Sequence, residues 1–582
     1  MDLSFNGPDA TSMNSPFIFW ANNDYDRVAF DSNDGTNYED SVQIGGCPAR
    51  PNTPTPDCNY SNMLANGYSY RAIPTKRDLQ DFFRLWVCGI TTNLLAQLPS
   101  GSTVTLSWGD VGNPNSGNPT IDLFTAADPD GGIGYLTNET VAAQQTNAIQ
   151  CPYIGRLAPG GSIQLNASQF NGWAGSHFIM CGVNYGNGGL NLTIKDGSGN
   201  VLAQSTSYLQ IVDIKQMYER WTVGDNPNNP PTNTACLATE NLPVGAPAFQ
   251  YAHPQDTNTP YILFVHGWNM ATWEKDRFAE SAFKRLYWQG YQGRFGSFRW
   301  PTDNGFTGLW QIIATNSAEK DNYDSSEYQA WQSAQGLLNK LNNLNAQYPG
   351  HVYLLAHSMG NVVANEALRL SGNAEVVNTY VASQAAVTAH TYDTNVPNYS
   401  FVYFAYGIPL SLSPDTPNIY GNWFAGNGGA AGAIVSFYNT NDYALQRSVW
   451  QLNQLLKPDH SVLEGGLSWT YGYSGSVSDP APWNNFYKES TNSTSYFNIV
   501  TSLKNRYEVM GFAAQPYTTA LGATPGVANL TKNVNLMGVW PSDPSGKNYT
   551  EHFYHSAEFR GDNPLQRSYW SELLGAGAFN LK

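Results

Sequence analysis

The second half of the chain alternates between continuous apolar runs and stretches in which apolar residues recur every three or four positions. The runs YILFVHG and HVYLLA have the composition of strands buried on both faces. The stretch between them predicts a helix, with a capping box at Asp324–Glu327 and an end at Pro349–Gly350. Short links between such elements predict a mostly parallel, doubly wound α/β sheet. The predicted elements are strands at 261–267 and 351–356 and helices at 328–348 and 361–372.

The first half has a different pattern. Between residues 100 and 214, short runs alternate apolar and polar positions and are separated by Gly, Asn and Asp, which predicts a β-sandwich. Just before it, apolar residues with a helix-like spacing predict a helix: Leu79, Phe82, Phe83, Leu85 and Trp86. The Pro- and Asn-rich stretch that follows the β region reads as a linker. The predicted domains are an acidic and helical segment at 1–99, a β-sandwich-like domain at 100–221, a linker at 222–260 and an α/β domain at 261–582.

The amino-acid composition limits the classes of partner that we expect the protein to bind. Charged residues make up 13% of the 582 residues, about half the usual fraction, and the formal net charge is −16. A negative protein repels polyanions, so we expect no nucleic-acid partner. A run of about twenty apolar residues is absent from the sequence, so we expect no transmembrane segment.

The cysteines point to an oxidising compartment. Six are present, all in the first 236 residues and none in a C-x-x-C pair, so we predict disulfides, for which 15 pairings can be drawn. Buried thiols are the alternative. We expect a secreted protein, and because the first residues do not resemble a signal peptide, we expect that its leader has been removed. The cysteines are Cys47, Cys58, Cys88, Cys151, Cys181 and Cys236.

One short motif contains a serine that is a candidate reactive residue. In YLLAHSMGN, Ser358 lies between a predicted buried strand and a predicted helix, and Ala356 and Gly360 are the small residues that such a sharp turn requires. The turn exposes the serine hydroxyl at the carboxyl edge of the sheet. The first N–H groups of the helix point to the same place and could stabilise an oxyanion.

The order FVHGW, AHSMGN, a late Asp and a later His resembles the α/β-hydrolase fold over about residues 250–582. The Ala-His-Ser-Met-Gly turn is similar to that of small bacterial lipases. The resemblance implies that the main-chain N–H groups of Trp268 and Met359 form an oxyanion hole and that an insertion caps the site.

A serine nucleophile needs a base and an acid. Asp442 follows the apolar run AIVSFYN, which places it at the same sheet edge as Ser358, and Asp459 is the alternative acid. For the base we favour His555, in a polar loop whose HFYHSAEF sequence resembles the histidine loop of this fold. His552 and His460 are the alternatives.

The predicted cap, about residues 385–433, is rich in aromatic residues that suit an acyl chain or aryl group. Ordinary packing within the cap is the alternative. The candidate substrate-binding residues are Tyr392, Tyr406, Trp423 and Phe424.

A separate acidic cluster near the amino terminus suits a structural Ca²⁺ site, although a solvated cluster is the alternative. We expect no cofactor for catalysis. The candidate ligands are Asp24, Asp26, Asp31 and Asp34.

Together these features predict a secreted serine hydrolase that cleaves carboxylic esters through Ser358, His555 and Asp442. Its expected substrate is an apolar or aromatic ester of the lipase, esterase or polyester type, which can be polymeric or insoluble. An amidase or peptidase of the same fold is one alternative. A surface-binding protein with an inactive hydrolase module is the other.

Overall fold

The computed structural model describes two compact units. The first consists of Met1–Met217, Asn241–Ala252 and Arg560–Arg567, and the second of Tyr218–Glu240, His253–Phe559 and Ser568–Lys582. The described residues are 2–5, 10–21, 79–110, 117–128, 131–137, 141, 151–170, 176–224, 237–238, 256–268, 270, 272–302, 318–372, 374–387, 389–392, 430–440, 442, 445, 520–527, 530–536, 555, 557–559 and 564–582.

A nine-stranded sheet forms the described part of the first unit. The long strand β8 organises it: its first half pairs with β3 and β5, and its second half pairs with β4 and β9. All pairs are antiparallel except β2 with β9. The strands are β1 (Asp2–Phe5), β2 (Phe17–Trp20), β3 (Phe82–Cys88), β4 (Thr103–Gly109), β5 (Gly117–Thr125), β6 (Tyr153–Leu157), β7 (Ser162–Leu165), β8 (Ser176–Lys195) and β9 (Val201–Val212), and the helices are α1 (Thr92–Gln97) and α2 (Gly134–Thr137).

The β-rich character of this unit is as predicted, but its organisation differs in two respects. Hydrogen bonds join the nine described strands into one sheet, so two separate sheets of a sandwich are not seen. Strands β1 to β3 belong to that sheet, so the predicted boundary at residue 99 does not separate two domains.

The predicted helix around residues 79–86 is wrong, because Phe82–Cys88 is a strand. Both faces of this strand are covered: Phe83 and Leu85 are fully buried, and so is Arg84, whose guanidinium pairs with Asp128 at 3.0 Å. A strand buried on both faces has no clear period of two. Such a run cannot be told from a helix by periodicity alone.

The second unit contains an eight-stranded sheet in the order β11-β10-β13-β12-β14-β15-β16-β17. All neighbours are parallel except the β10–β11 pair. The strands are β10 (Glu219–Thr222), β11 (Leu237–Ala238), β12 (Tyr261–Val265), β13 (Arg294–Arg299), β14 (Val352–His357), β15 (Val377–Ser383), β16 (Ala431–Tyr438) and β17 (Lys532–Asn535). The helices are α3 (Thr272–Trp288), α4 (Ala318–Gln347), α5 (Gly360–Leu370) and α6 (Pro564–Leu574), of which the residues from Ser568 onward belong to this unit.

Helices cover both faces of this sheet, as the alternation of strands and helices predicts. Residues of α4 and α5 share one core cluster with Leu263 and Leu354 of the central strands. On the other face, Phe283 of α3 contacts Phe295 of β13, with ring centroids 5.9 Å apart. The five residues of β12 are fully buried, which explains the continuous apolar run in its sequence.

The structure differs from two of the boundaries predicted for this unit. Helix α4 begins at Ala318, so the predicted capping box at Asp324–Glu327 lies inside the helix and does not start it. Within the predicted linker at 222–260, Leu237–Ala238 forms β11 and pairs with β10 of the same sheet. A two-residue strand carries too little periodicity to be recognised in a sequence.

Candidate active site

Ser358 occupies a strained turn between β14 and α5. Its φ is 52°, in the left-handed region that residues other than glycine seldom adopt. The turn is fixed by main-chain hydrogen bonds: the N–H of Ser358 donates to the carbonyl of Ser383 at 3.1 Å, and its carbonyl accepts from the N–H of Ala386 at 3.1 Å. The turn therefore holds the serine in a conformation that costs about 1–3 kcal/mol.

The buried side chain of Asn361 stabilises the same turn through hydrogen bonds. Its side-chain Nδ2 donates to the carbonyls of Ala356 and Ser358 at 3.1 and 2.9 Å. Its Oδ1 accepts from the hydroxyl of Tyr380 at 2.5 Å. Asn361 is fully buried, so these bonds are shielded from water.

Two glycines allow the turn after β12 to lie against the serine. A Cβ on Gly360 would lie 2.4 Å from the carbonyl oxygen of His266, which is too close for any side chain. A Cβ on Gly267 would lie 3.0 Å from the Cβ of Ser358. The small residues of both motifs are thus required by close packing of the two turns.

The structure brings together the three residues that the sequence proposed as nucleophile, base and acid. Nε2 of His555 lies 2.9 Å from Oγ of Ser358, and Nδ1 of His555 lies 2.7 Å from Oδ2 of Asp442. Asp442 is fully buried, whereas 18% of the His555 side chain is exposed. Because a carboxylate only accepts, Nδ1 carries the proton and Nε2 is free to accept from the serine.

Asp442 has further hydrogen-bond donors that the sequence did not reveal. The side-chain Nε2 of Gln384 donates to Oδ2 of Asp442 at 2.7 Å, and the N–H of Leu445 donates to Oδ1 at 3.2 Å. Gln384 directly follows β15, as Ser358 directly follows β14. The signal available in the sequence was a polar residue directly after the run YVAS.

His357 supports the base through the main chain. Its Nε2 donates to the carbonyl oxygen of His555 at 2.7 Å. The rings of Phe278 and Phe559 pack edge-on against it, with centroids 6.5 and 5.0 Å away. The residue before the serine therefore helps to place the histidine loop.

A buried acid lies beneath the histidine loop. Glu558 is fully buried, and burial raises its pKa to about 8, with the nearby charge of Asp442 adding to the effect. The Oγ of Ser383 donates to its Oε1 at 3.3 Å, and Nη1 of Arg285 donates to its main-chain carbonyl at 2.7 Å. At neutral pH this carboxyl is mostly protonated, so Asp442 does not face a second full negative charge.

The turn after β12 has a fixed orientation. Nδ1 of His266 donates to the carbonyl of Gly267 at 2.8 Å, and Nε2 accepts from the N–H of Trp300 at 3.2 Å. Burial lowers the pKa of His266 well below its usual value, and the charge of Lys275 lowers it further, so the ring is neutral. The N–H of Trp268 shares a trans peptide unit with the Gly267 carbonyl and points the opposite way.

Met359 is the N-cap residue of α5, where the first N–H groups have no helical acceptor. Its side chain is fully buried in the core. Met359 directly follows the serine, and Trp268 directly follows Gly267, on which a Cβ would lie 3.0 Å from the Cβ of Ser358.

The remaining candidate residues are placed as follows. Tyr392 is buried in the core of the second unit, and its hydroxyl donates to Oδ1 of Asn365 in α5. It is thus a packing residue, which corrects its assignment to a substrate-binding wall. The other candidates lie outside the described residues: Tyr406, Trp423, Phe424, His460, His552 and Asp459, the candidate calcium ligands Asp24, Asp26, Asp31 and Asp34, and most of the predicted cap.

Three further features concern only the part of the chain that the structure describes. There, no group of three or more His, Cys, Asp or Glu side chains is arranged to hold a metal ion. No helix in that part is both long and apolar enough to span a membrane. Cys88, Cys151 and Cys181 form no disulfide with one another, so the predicted disulfides find no support, and Cys47, Cys58 and Cys236 lie outside the described residues.

Comparison with known proteins agrees with the α/β fold of this region. Residues 250–401 match the family model of an alpha/beta hydrolase of unknown function (DUF900). The match includes Ser358, Met359 and Trp268 but ends before Asp442 and His555. No curated protein matches the chain. Residues 250–401 are therefore similar to an α/β-hydrolase domain, which supports a hydrolase in general.

Proposed function

We propose that this protein is a serine hydrolase that cleaves carboxylic esters, with Ser358 as nucleophile, His555 as general base and Asp442 as the acid that orients the base. The proposal rests mainly on one observation. Two hydrogen bonds, of 2.9 and 2.7 Å, connect the serine hydroxyl through the imidazole to a buried carboxylate. The serine also sits on a strained strand-to-helix turn within an α/β-hydrolase domain.

The geometry supports an acyl-transfer reaction. Ser358 Oγ attacks the ester carbonyl while Nε2 of His555 takes its proton, and the negative charge of Asp442 stabilises the imidazolium that results. The N–H groups of Trp268 and Met359 are the proposed donors to the oxyanion. The imidazolium then protonates the leaving alcohol. The same histidine activates a water molecule that hydrolyses the acyl-enzyme.

The ester preference, the apolar character of the substrate and the extracellular location rest on the sequence. The aromatic-rich cap favours an acyl chain or aryl group, and the low charged fraction is typical of many secreted proteins. A structural calcium ion near residues 24–34 also stays a prediction. None of these is needed for the reaction sequence above.

The test measures hydrolysis of p-nitrophenyl esters of graded chain length and of the matching p-nitroanilides. The Ser358→Ala variant is expected to lose about 10⁶-fold in kcat. The matched control is Ser371→Ala, at the other end of α5, where the hydroxyl lies within hydrogen-bond distance of the main-chain carbonyls of Leu368 and Ala374. It is expected to hydrolyse esters at the wild-type rate. Ester hydrolysis by Ser358→Ala at the wild-type rate would contradict the proposal, and faster cleavage of anilides than of esters would favour an amidase.

A further inference from the structure

Gln384 occupies a position in the fold that corresponds to the position of Ser358. Ser358 follows β14 and Gln384 follows β15, and the last residues of these parallel neighbours, His357 and Ser383, are paired. Gln384 also has a positive φ, of 39°. Its N–H donates to the carbonyl of Phe437 at 2.8 Å. The left-handed conformation is therefore fixed by the main chain, although it is unfavourable for a residue with a side chain.

Close packing leaves the Gln384 main chain little room to adopt another conformation. A Cβ on Gly522 would lie 2.2 Å from the carbonyl carbon of Gln384. The N–H of Gly522 donates to the carbonyl of Ala385, the next residue, at 3.0 Å. A conformation that is both unfavourable and enforced from two sides suggests that the direction of the side chain matters.

The Gln384 side chain is aimed at the carboxylate of Asp442. Its Nε2 lies 2.7 Å from Oδ2, the same oxygen that accepts from Nδ1 of His555 at 2.7 Å. The amide orientation is fixed by chemistry, because a carboxylate accepts only, and the side-chain oxygen of Gln384 would repel it. Together with the N–H of Leu445 on Oδ1, three donors define the plane of the carboxylate.

A neutral donor has an advantage at this position. Lys or Arg would also hold the carboxylate, but its positive charge would offset the negative charge that stabilises the imidazolium of His555. An amide fixes the geometry and leaves the charge in place. Both Gln384 and Asp442 are fully buried, so water does not replace this donor if it is removed.

We propose that Gln384 is a positioning residue, which acts through Asp442 to hold His555 in line with Ser358. This inference rests on the proposed function. Without the amide, the carboxylate loses a side-chain hydrogen bond and can rotate about its χ2 angle away from Nδ1 of His555. The predicted consequence is a slower chemical step with unchanged substrate binding.

The first experiment measures kcat and KM for a p-nitrophenyl ester with Gln384→Leu, which keeps the size and removes the donor. The expected result is a kcat about 10- to 100-fold lower with KM within about threefold of wild type. Gln384→Glu, which sets a carboxyl against Asp442, is expected to lose more. The matched control is Gln216→Leu, a buried glutamine of the first unit whose side chain caps a turn, and its kcat is expected to be unchanged.

A double-mutant comparison separates positioning from general structural damage. In the Asp442→Ala background, Gln384→Leu is expected to cause no further loss, since the group on which it acts is gone. An equal loss in both backgrounds, or a wild-type kcat for Gln384→Leu, would overturn the inference. If Gln384→Leu does not fold, Gln384→Asn replaces it, because Asn tolerates a positive φ and is too short to reach Asp442.

The two proposals fail in different ways. If Ser358→Ala abolishes ester hydrolysis, Asp442→Ala strongly reduces it and Gln384→Leu leaves it unchanged, only the role of Gln384 is rejected. If Ser358→Ala retains activity, the proposed function itself is rejected, whatever Gln384→Leu does.

Discussion

The two edges of the eight-stranded sheet differ in how they use polar residues. At the amino edge, Tyr261 and Arg294 open β12 and β13, and both donate to the carboxylate of Glu219, each at 2.5 Å. Arg294 also donates to the hydroxyl of Tyr348. Opposite charges are paired here.

At the carboxyl edge, the main chain is strained and the buried acids lack such pairing. Four residues other than glycine have a positive φ in the described part of the chain, and two of them, Ser358 and Gln384, end neighbouring strands at this edge. Asp442 and Glu558 are buried close together, and no Lys or Arg side-chain ion pair with either carboxylate is seen among the described residues. We infer that the amino edge is arranged for stability and the carboxyl edge for the proposed reaction.

The largest difference in kcat is expected between variants of the carboxylates at the two edges. Asp442→Asn keeps the shape but favours the wrong tautomer of His555, so we expect kcat for ester hydrolysis to fall about 10⁴-fold. Glu219→Gln, at the amino edge, is the matched control, with kcat expected within about twofold of wild type. Steady-state kinetics on the same ester measures both. Comparable losses in the two variants would remove the distinction between the edges.

The next largest difference in kcat is expected between variants of glycines at the two edges. Gly360→Ala forces a Cβ to within 2.4 Å of the His266 carbonyl, so the turn before Trp268 must move, and we expect at least a 10²-fold loss of kcat. Gly290, which precedes β13, has a φ of 90° and open space around it. Gly290→Ala is therefore expected to cost about 1 kcal/mol of unfolding free energy without loss of kcat. Activity and urea unfolding of both variants test the pair, and full activity of Gly360→Ala would contradict the close-packing argument.

Removing the cation of the amino edge should affect stability alone. Arg294→Met removes the guanidinium that pairs with the Glu219 carboxylate at 2.5 Å, and we expect the unfolding free energy to fall by about 2–4 kcal/mol. The kcat of the folded variant should remain within about twofold of wild type. Urea denaturation and ester kinetics on the same sample provide the measurement. A large loss of kcat in a sample that is still folded would show that the two edges are coupled.

Glu558 predicts a pH dependence of stability for the carboxyl edge. Its pKa rises from an ordinary 4.5 to about 8 in the folded protein, so between these values the unfolded chain loses the proton and the folded protein keeps it. Stability therefore falls as pH rises through this window, by at most about 5 kcal/mol. In Glu558→Gln this loss is absent, so the variant should gain stability relative to wild type from about pH 5 to about pH 8.

Urea unfolding across that pH range measures the gain. The control is Glu219→Gln, which breaks the pair with Arg294 and should be less stable than wild type at about pH 7 and above. A constant difference between Glu558→Gln and wild type at all pH values would contradict the raised pKa of Glu558.

The sequence was most informative where order along the chain translates into position. In a parallel sheet the carboxyl ends of the strands share one edge, so residues that follow β14 and β16 could be proposed as neighbours, and Ser358 and Asp442 are indeed brought together. His555 came from a resemblance and a short motif. The α/β sheet itself followed from the alternating pattern.

The sequence could not reveal contacts that have no pattern of their own. Gln384, His357 and Glu558 act through single hydrogen bonds or through burial, and each belongs to a common residue type. The strand Phe82–Cys88 was predicted as a helix because both of its faces are buried. Tyr392 was predicted to face substrate because aromatic residues suit pockets and cores equally.

The most direct test of the central claim is covalent labelling with a fluorophosphonate, followed by peptide mapping of the adduct. The reagent reports an activated serine without any assumption about the natural substrate. We expect one adduct, on Ser358, with no labelling of Ser358→Ala and at least ~10²-fold slower labelling of His555→Ala. An adduct on another serine, or equal labelling rates for wild type and His555→Ala, would contradict the claim.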